Sequence, residues 1–252
     1  MKNFLKTYWK TLVFFGAVGL VGGYFVGIYQ LDSFPEEMRQ EILSQGLTPV
    51  LLGLVTALQS AGYGLVLGAA GIWLGKRTGL WKDERNITKK PLMITLAVAV
   101  LGGLALILPD LLIFGRYSQP IMDSYAVKPT LAYLIAMVTY GGVIEEVMLR
   151  LFAMSLVAFV LHKIFGRNDE KPGTALLVAA NVIAALLFAA AHLPVTFILL
   201  GASPMIIFRC FLLNGGFGLL FGWLYRKFGL RYAMMAHGGC HIVSKLIWIL
   251  FI

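Results

Sequence analysis

Three groups of ionisable residues stand inside otherwise apolar stretches of the chain, and their spacing suits acid–base chemistry. The first is Gly141-Gly142-Val143-Ile144-Glu145-Glu146-Val147-Met148-Leu149-Arg150. On an α-helix Glu146 and Arg150 are four residues apart, share a face and can pair. Glu145 lies about 100° around the helix from Glu146 and has no such partner. The spacing therefore separates two roles: Glu146–Arg150 as a structural ion pair, and Glu145 as a carboxylate left for general-base work. The second group is Phe188-Ala-Ala-Ala-His192, in which Phe188 and His192 share a helix face. Asn181, further back, falls on the same face. The third is His237-Gly-Gly-Cys-His241. Histidines four apart present two imidazoles on one face, which suits a metal ion or a developing oxyanion. Lys245 adds a polar group one turn further on.

Other polar residues in apolar surroundings are Gln59, Asp110, His162 and Arg209. The last three sit near the ends of apolar runs, where snorkelling to the headgroups meets their needs, and Gln59 is expected to bond a neighbouring helix. The chain has no His-Glu-x-x-His zinc motif and no Cys-x-x-Cys-His haem motif.

The elements that must carry these residues follow from composition. Of 252 residues 59% are apolar and 13% charged, where a soluble domain has about 45–50% and roughly 25%. Mean hydropathy is +0.83. A globule of this length cannot bury so much apolar side chain without a lipid boundary, which excludes an ordinary soluble enzyme and a disordered chain. The expectation is one all-α membrane domain, a polytopic transmembrane helical bundle. The two cysteines, Cys210 and Cys240, lie in apolar segments and imply no disulfide framework.

Apolar runs near the bilayer length predict seven spans, at 11–30, 49–75, 92–113, 130–162, 174–200, 204–225 and 231–251. The first run is too long for a signal-peptide core and is followed by no small-residue cleavage site, so it reads as a retained anchor. Segment 32–46 reads as a short surface helix. Gly19, Gly23 and Gly27, and likewise Asn214, Gly218 and Gly222, recur every four residues and predict close helix packing. Fifteen basic residues fall in the N-terminus and in the 76–91, 163–173 and 226–231 connections, against Arg39, Arg116 and Lys128 on the other side. The positive-inside rule then puts the N-terminus in the cytoplasm and the C-terminus outside. The net charge of +9 is met by anionic lipid headgroups rather than nucleic acid.

An ionisable group at mid-bilayer costs at least about 2.5–3.5 kcal/mol on insertion scales, so the buried set marks function by default. Glu-Glu-x-x-x-Arg at 145–150, Phe-x-x-x-His at 188–192 and Gly-Leu-x-x-Ala-x-x-Ala-His at 229–237 occur in that order. Taken together they resemble the CPBP family of intramembrane proteases, also called the CAAX-processing or bacteriocin-immunity (Abi) family. The resemblance covers residues 130–245, while residues 1–129 carry no diagnostic motif. It implies a helical core with a catalytic cavity open to cytosol and bilayer. It further implies that Glu145 and His192 activate a water, and that His237 holds the scissile carbonyl or a metal. Family members commonly have Asn four residues after that histidine, whereas this chain has His241. The substitution is compatible with an oxyanion donor and with a metal ligand. A divalent cation such as zinc is therefore one option, with Glu145, His192, His237 and His241 as its ligands.

The expected activity is intramembrane endopeptidase hydrolysis of a membrane-associated polypeptide near the cytoplasmic face. Glu145, His192, His237 and His241 are the catalytic set, Glu146–Arg150 locks the helix that carries Glu145, and Phe188 and Asn181 support the site. A bacterial plasma membrane is the expected location. Two rival readings are a non-enzymatic immunity or scaffold protein and a proton or ion transporter, though a transporter is expected to show internal repeats that this chain lacks. Depth poses a problem for the site. Glu145 is 18 residues from Lys163 and His192 is 18 from Thr174, but His237 is six from Arg231. For straight upright helices His237 would be too shallow by on the order of 10–18 Å.

Overall fold

The computed structural model describes residues 2–83, 86–166 and 169–252, leaving the side chain of Lys2 aside. Arg85 and Arg167, two of the basic residues used for orientation, lie outside the described residues. Nine helices follow in order among the described residues, with one 3₁₀ turn (Phe114–Arg116) and no strand. They are α1 (Lys2–Ser33), α2 (Glu36–Ser44), α3 (Pro49–Thr78), α4 (Lys89–Leu112), α5 (Gln119–Ala126), α6 (131–165), α7 (Thr174–Leu200), α8 (Pro204–Phe228) and α9 (Leu230–Phe251). Helices α1, α3, α4, α7, α8 and α9 are each long and apolar enough to cross a membrane. Helix α6 occupies the place of the remaining expected span and carries Glu145, Glu146 and Arg150 at its middle. The chain is an all-α, multi-pass membrane protein.

Local sequence explains where several helices begin. Thr48, Thr130 and Ser203 each accept a hydrogen bond from the backbone N–H three residues on, and Pro49 and Pro204 occupy the first turn, where a missing N–H costs nothing. A single residue, Gly229, joins α8 to α9 at φ +103°, a conformation that a side chain would strain. Helix α6 is not a plain α-helix. Met137–Glu145 and Val147–Met154 are π-helical, and shorter π-turns interrupt α3 at Tyr63–Leu67 and α8 at Phe211–Gly215. Such wide turns are rare and concentrate at functional sites.

The glycine stripes do what their spacing implies. A Cβ on Gly19, Gly23 or Gly27 would strike the backbone oxygen of Ser60, Thr56 or Leu52, so α1 and α3 lie backbone to backbone. On α8, Gly218 meets Ala185 and Gly222 meets the Asn181 amide of α7. The core that closes over these contacts draws Val147, Leu151 and Met154 from α6, Ala184 from α7, Tyr225 from α8 and Ala236 from α9.

The two ends of the bundle differ in charge, as the loop count requires. At one end the Tyr8 hydroxyl accepts from Lys76 at 2.9 Å and faces Asp83, while Lys82 donates to the Lys227 carbonyl. The Lys171 side chain packs against Gly79 at the same end. At the other end Asp110 and Arg209 depart from expectation. Instead of snorkelling separately they pair, with Arg209 Nε 2.6 Å from Asp110 Oδ1 and Nη2 2.5 Å from Oδ2. The Tyr125 hydroxyl donates to the same carboxylate at 3.0 Å, and Trp248 Nε1 donates to the Tyr125 carbonyl. Burial and the adjacent carboxylate push the Tyr125 phenol up, so it stays a donor. Asp110 is buried, and pairing within the protein replaces the water it cannot reach. Gln59 also departs from expectation, since it bonds Tyr63 of its own helix.

If the basic end faces the cytoplasm, a thiol reagent added from one side should label cysteines placed at Asn86 and Ile252 differently. Only the first should react from the cytoplasmic side and only the second from outside. Labelling of both from the same side would remove this topology.

Candidate active site

The residues singled out by their spacing come from three helices. Helix α6 supplies Glu145, Glu146 and Arg150, α7 supplies Phe188 and His192, and α9 supplies His237 and His241. Helices α6 and α9 can meet because glycines face each other. A Cβ on Gly142 would fall 2.9 Å from the Gly238 Cα, and one on Gly141 would fall 3.2 Å from His241 Nε2. Any side chain at 141 or 142 would push the histidines away from the glutamates.

At the centre Glu146 Oε1 is 3.2 Å from Arg150 Nη1 and 2.9 Å from His237 Nδ1. The side chains of Glu146 and Arg150 are 0% and 2% exposed. The Arg150 guanidinium also lies over the rings of Phe188, at 4.6 Å, and Phe221, at 5.6 Å. The pair is thus an ion pair within an aromatic sandwich, a setting that stabilises a desolvated cation. Arg150 can only donate to Glu146 Oε1, which marks that oxygen as an acceptor, and His237 Nδ1 is then the donor in the 2.9 Å contact.

That assignment sets the rest of the chain of contacts. With its proton on Nδ1, His237 offers a lone pair at Nε2. His241 Nε2, 3.2 Å away, donates to it. The two rings tilt by 31°, with centroids 4.9 Å apart. The other nitrogen of His241, Nδ1, is buried without a hydrogen-bond partner. Phe221 stacks on His237 at 4.5 Å and 23°, holding the ring from its other side. Neither the Glu146–His237 bond nor the Phe221 stack could be read from the sequence. The spacing assigned Glu146 to Arg150 alone, and nothing marks Phe221 among 17 phenylalanines.

Glu145 takes a different position. Its side chain is 18% exposed, and Oε2 lies 4.0 Å from His237 Nε2. That gap is too long for a direct hydrogen bond and suits one bridging water. His192 sits on Phe188, ring to edge at 4.6 Å, and its Nδ1 is 2.8 Å from the Phe188 carbonyl. A carbonyl only accepts, so Nδ1 carries the proton and Nε2 is left as a base. Phe188 lies against Arg150, His192 and His237 and so links residues of all three helices. Asn181 is not brought to the site. Its amide donates to the Leu219 carbonyl at 2.9 Å and clamps α7 to α8.

The depth problem is resolved by staggered helix ends. Glu145 and His237 come within 4.0 Å although α6 runs on to residue 165 and α9 begins at Leu230. At 1.5 Å per residue, α6 runs on past Glu145 for about 20 Å more than separates His237 from the start of α9. An apolar groove of about 160 Å³ between α6 and α9 has His241 as one wall, with Leu134, Met137, Val138 and Lys245 among the others. The Lys245 ammonium lies over the rings of Tyr133 and Trp248.

The donor set bears on metal binding. Among the described residues no group of three or more His, Cys, Asp and Glu side chains is placed to hold a metal ion. The imidazoles of His237 and His241 face each other, Glu145 Oε2 stands 4.0 Å from His237 Nε2, and His192 bonds its own helix through Nδ1 and keeps Nε2 free. No step below depends on a metal.

Compared with known families, residues 127–243 match the model described as type II CAAX prenyl endopeptidase Rce1-like. No curated protein and no solved structure matches the chain.

Proposed function

With residues 127–243 belonging to the type II CAAX prenyl endopeptidase Rce1-like family, we propose that this membrane protease hydrolyses a peptide bond of a membrane-associated polypeptide near the cytoplasmic face, using a water activated by Glu145 and His192. The observation that carries the reading is the 4.0 Å gap between Glu145 Oε2 and His237 Nε2, a separation suited to a bridging nucleophilic water.

Glu145 takes a proton from that water, and the hydroxide attacks the scissile carbonyl. The free Nε2 of His192 orients the water or shares its proton. His237 and His241 serve the oxyanion. Glu146 on Nδ1 fixes the His237 ring, and the Nε2–H that His241 directs toward that ring serves as the donor to the tetrahedral intermediate, with no further proton taken up. The proton held by Glu145 passes to the leaving amine. Arg150 holds the Glu146 side chain in place throughout. The groove between α6 and α9 gives an apolar substrate a route to His241 from the bilayer. A bacterial plasma membrane accommodates this arrangement.

The reading is tested by comparing peptides released from membranes of cells with the wild type and with a His237→Ala, His241→Ala double variant. Substrate-derived peptides should appear only with the wild type, and equal release from both would overturn the assignment of the last helix. The role of His241 is separable. If it donates only a hydrogen bond, His241→Asn should retain most activity and chelators should leave the wild type unchanged. Loss of activity in His241→Asn, together with chelator sensitivity reversed by zinc, would make His241 a metal ligand instead.

A further inference from the structure

An opening of about 350 Å³, lined by none of the candidate active-site residues, lies at the basic end of the bundle. It is formed where the first turns of α1, through Asn3, Phe4, Thr7 and Tyr8, cross the last turn of α3, through Trp73, Lys76 and Arg77. These residues stand three and four apart on each helix, so each set forms one face.

The charges in this opening are unevenly engaged. Lys76 donates to the Tyr8 hydroxyl at 2.9 Å, and the Tyr8 hydroxyl in turn donates to Asp83 at 3.2 Å. Trp81 Nε1 donates to the same carboxylate at 2.6 Å. Asp83 is thus satisfied by Tyr8 and Trp81, and the buried phenol fixes Lys76 at the rim. Arg77 is different. Its guanidinium lies flat on the Trp73 ring at 3.6 Å, and among the described residues it has no carboxylate partner. Stacking fixes the plane of the guanidinium and leaves its hydrogen-bonding edge open, the geometry that reads a phosphate with paired N–H groups. The rest of the lining includes Phe4 on α1 and the half-exposed Trp73 beneath the guanidinium, aromatic side chains of the kind common at headgroup level.

We propose that this opening binds a phosphate ester, the headgroup of an anionic phospholipid, with Arg77 as its bidentate donor, Lys76 as its second cation and Trp73 against the adjoining glycerol and acyl carbons. The aromatic wall favours a lipid over free phosphate, which has no carbon to place there. Bound in this way, a lipid ties α1 to α3 at the membrane surface. The proposal is independent of the proteolytic reading.

Thermal unfolding of the purified protein in neutral detergent tests it, with phosphatidylglycerol, phosphatidylcholine or inorganic phosphate added. Phosphatidylglycerol should raise the wild-type midpoint by about 5 °C, and phosphatidylcholine should not. Arg77→Gln should lose most of the rise, and Arg77→Lys should keep part of it. Lys89→Gln with Lys90→Gln, which removes two charges elsewhere at the same end, should keep it all. If Arg77→Gln proves unstable in detergent alone, Trp73→Leu reads the same site. A rise with inorganic phosphate that Arg77→Gln abolishes would keep the site and make its source soluble phosphate. No rise with phosphatidylglycerol, or a rise that survives both Arg77→Gln and Trp73→Leu, would overturn it.

Discussion

Glu145→Gln, reconstituted in lipid at the same folded yield as the wild type, should cleave its substrate at least about 10²–10⁴-fold more slowly. The amide keeps the size of the side chain and cannot accept the proton of the attacking water. Folding should be unaffected because Glu145 is partly exposed and makes no ion pair with Arg150, so no buried cation is stranded. His192→Ala should lose activity on a similar scale. Its Nδ1 bonds only a carbonyl of its own helix, and truncation removes the free Nε2 at little packing cost. Single-turnover cleavage followed by mass spectrometry, with size-exclusion profiles as the folding control, measures both. Wild-type rates in Glu145→Gln would exclude Glu145 as the base. They would also leave the family motif as structure, as a scaffold or immunity protein would have it.

The second large effect should appear in stability. Arg150→Ala strands the Glu146 carboxylate, which has 0% of its side chain exposed, and leaves a void between Phe188 and Phe221. Breaking a buried pair in this way costs about 3–5 kcal/mol, so folded yield in detergent should fall sharply. The same change should disturb His237, because Glu146 holds its Nδ1 at 2.9 Å. The variant that does fold should therefore be impaired in turnover as well as stability. Glu146→Gln offers a contrast. Its amide oxygen can still accept from His237 Nδ1, but Arg150 loses its counter-charge. An Arg150→Ala protein as stable as the wild type, beside an unstable Glu145→Gln, would mean that the two glutamates have exchanged roles. Melting curves of the two proteins decide it.

The helical phase of residues 145–150 was enough to tell the two glutamates apart. Four residues bring Glu146 and Arg150 together on any regular turn, and one residue moves Glu145 to another face. The seven apolar runs, the glycine stripes and the segregation of basic loops were equally local properties, set by side-chain type and chain period. They determined an all-helical membrane protein with one basic end.

Contacts between distant parts of the chain could not be had in the same way. The hydrogen bond from His237 to Glu146 joins positions 91 residues apart. It depends on Gly142 meeting Gly238 and on staggered helix ends, which straight helices counted from their loops do not provide. The π-helical turns of α6 have no signal in hydrophobic period, because an apolar stretch without alternation suits α and π turns alike. Asp110 and Arg209, 99 residues apart, read as separate span-end charges until packing brought them within 2.6 Å. Residue type and spacing decided which groups could do chemistry. Tertiary packing decided which atoms of those groups meet, because a hydrogen bond is made or lost over about half an ångström and sequence constrains position across helices far less closely.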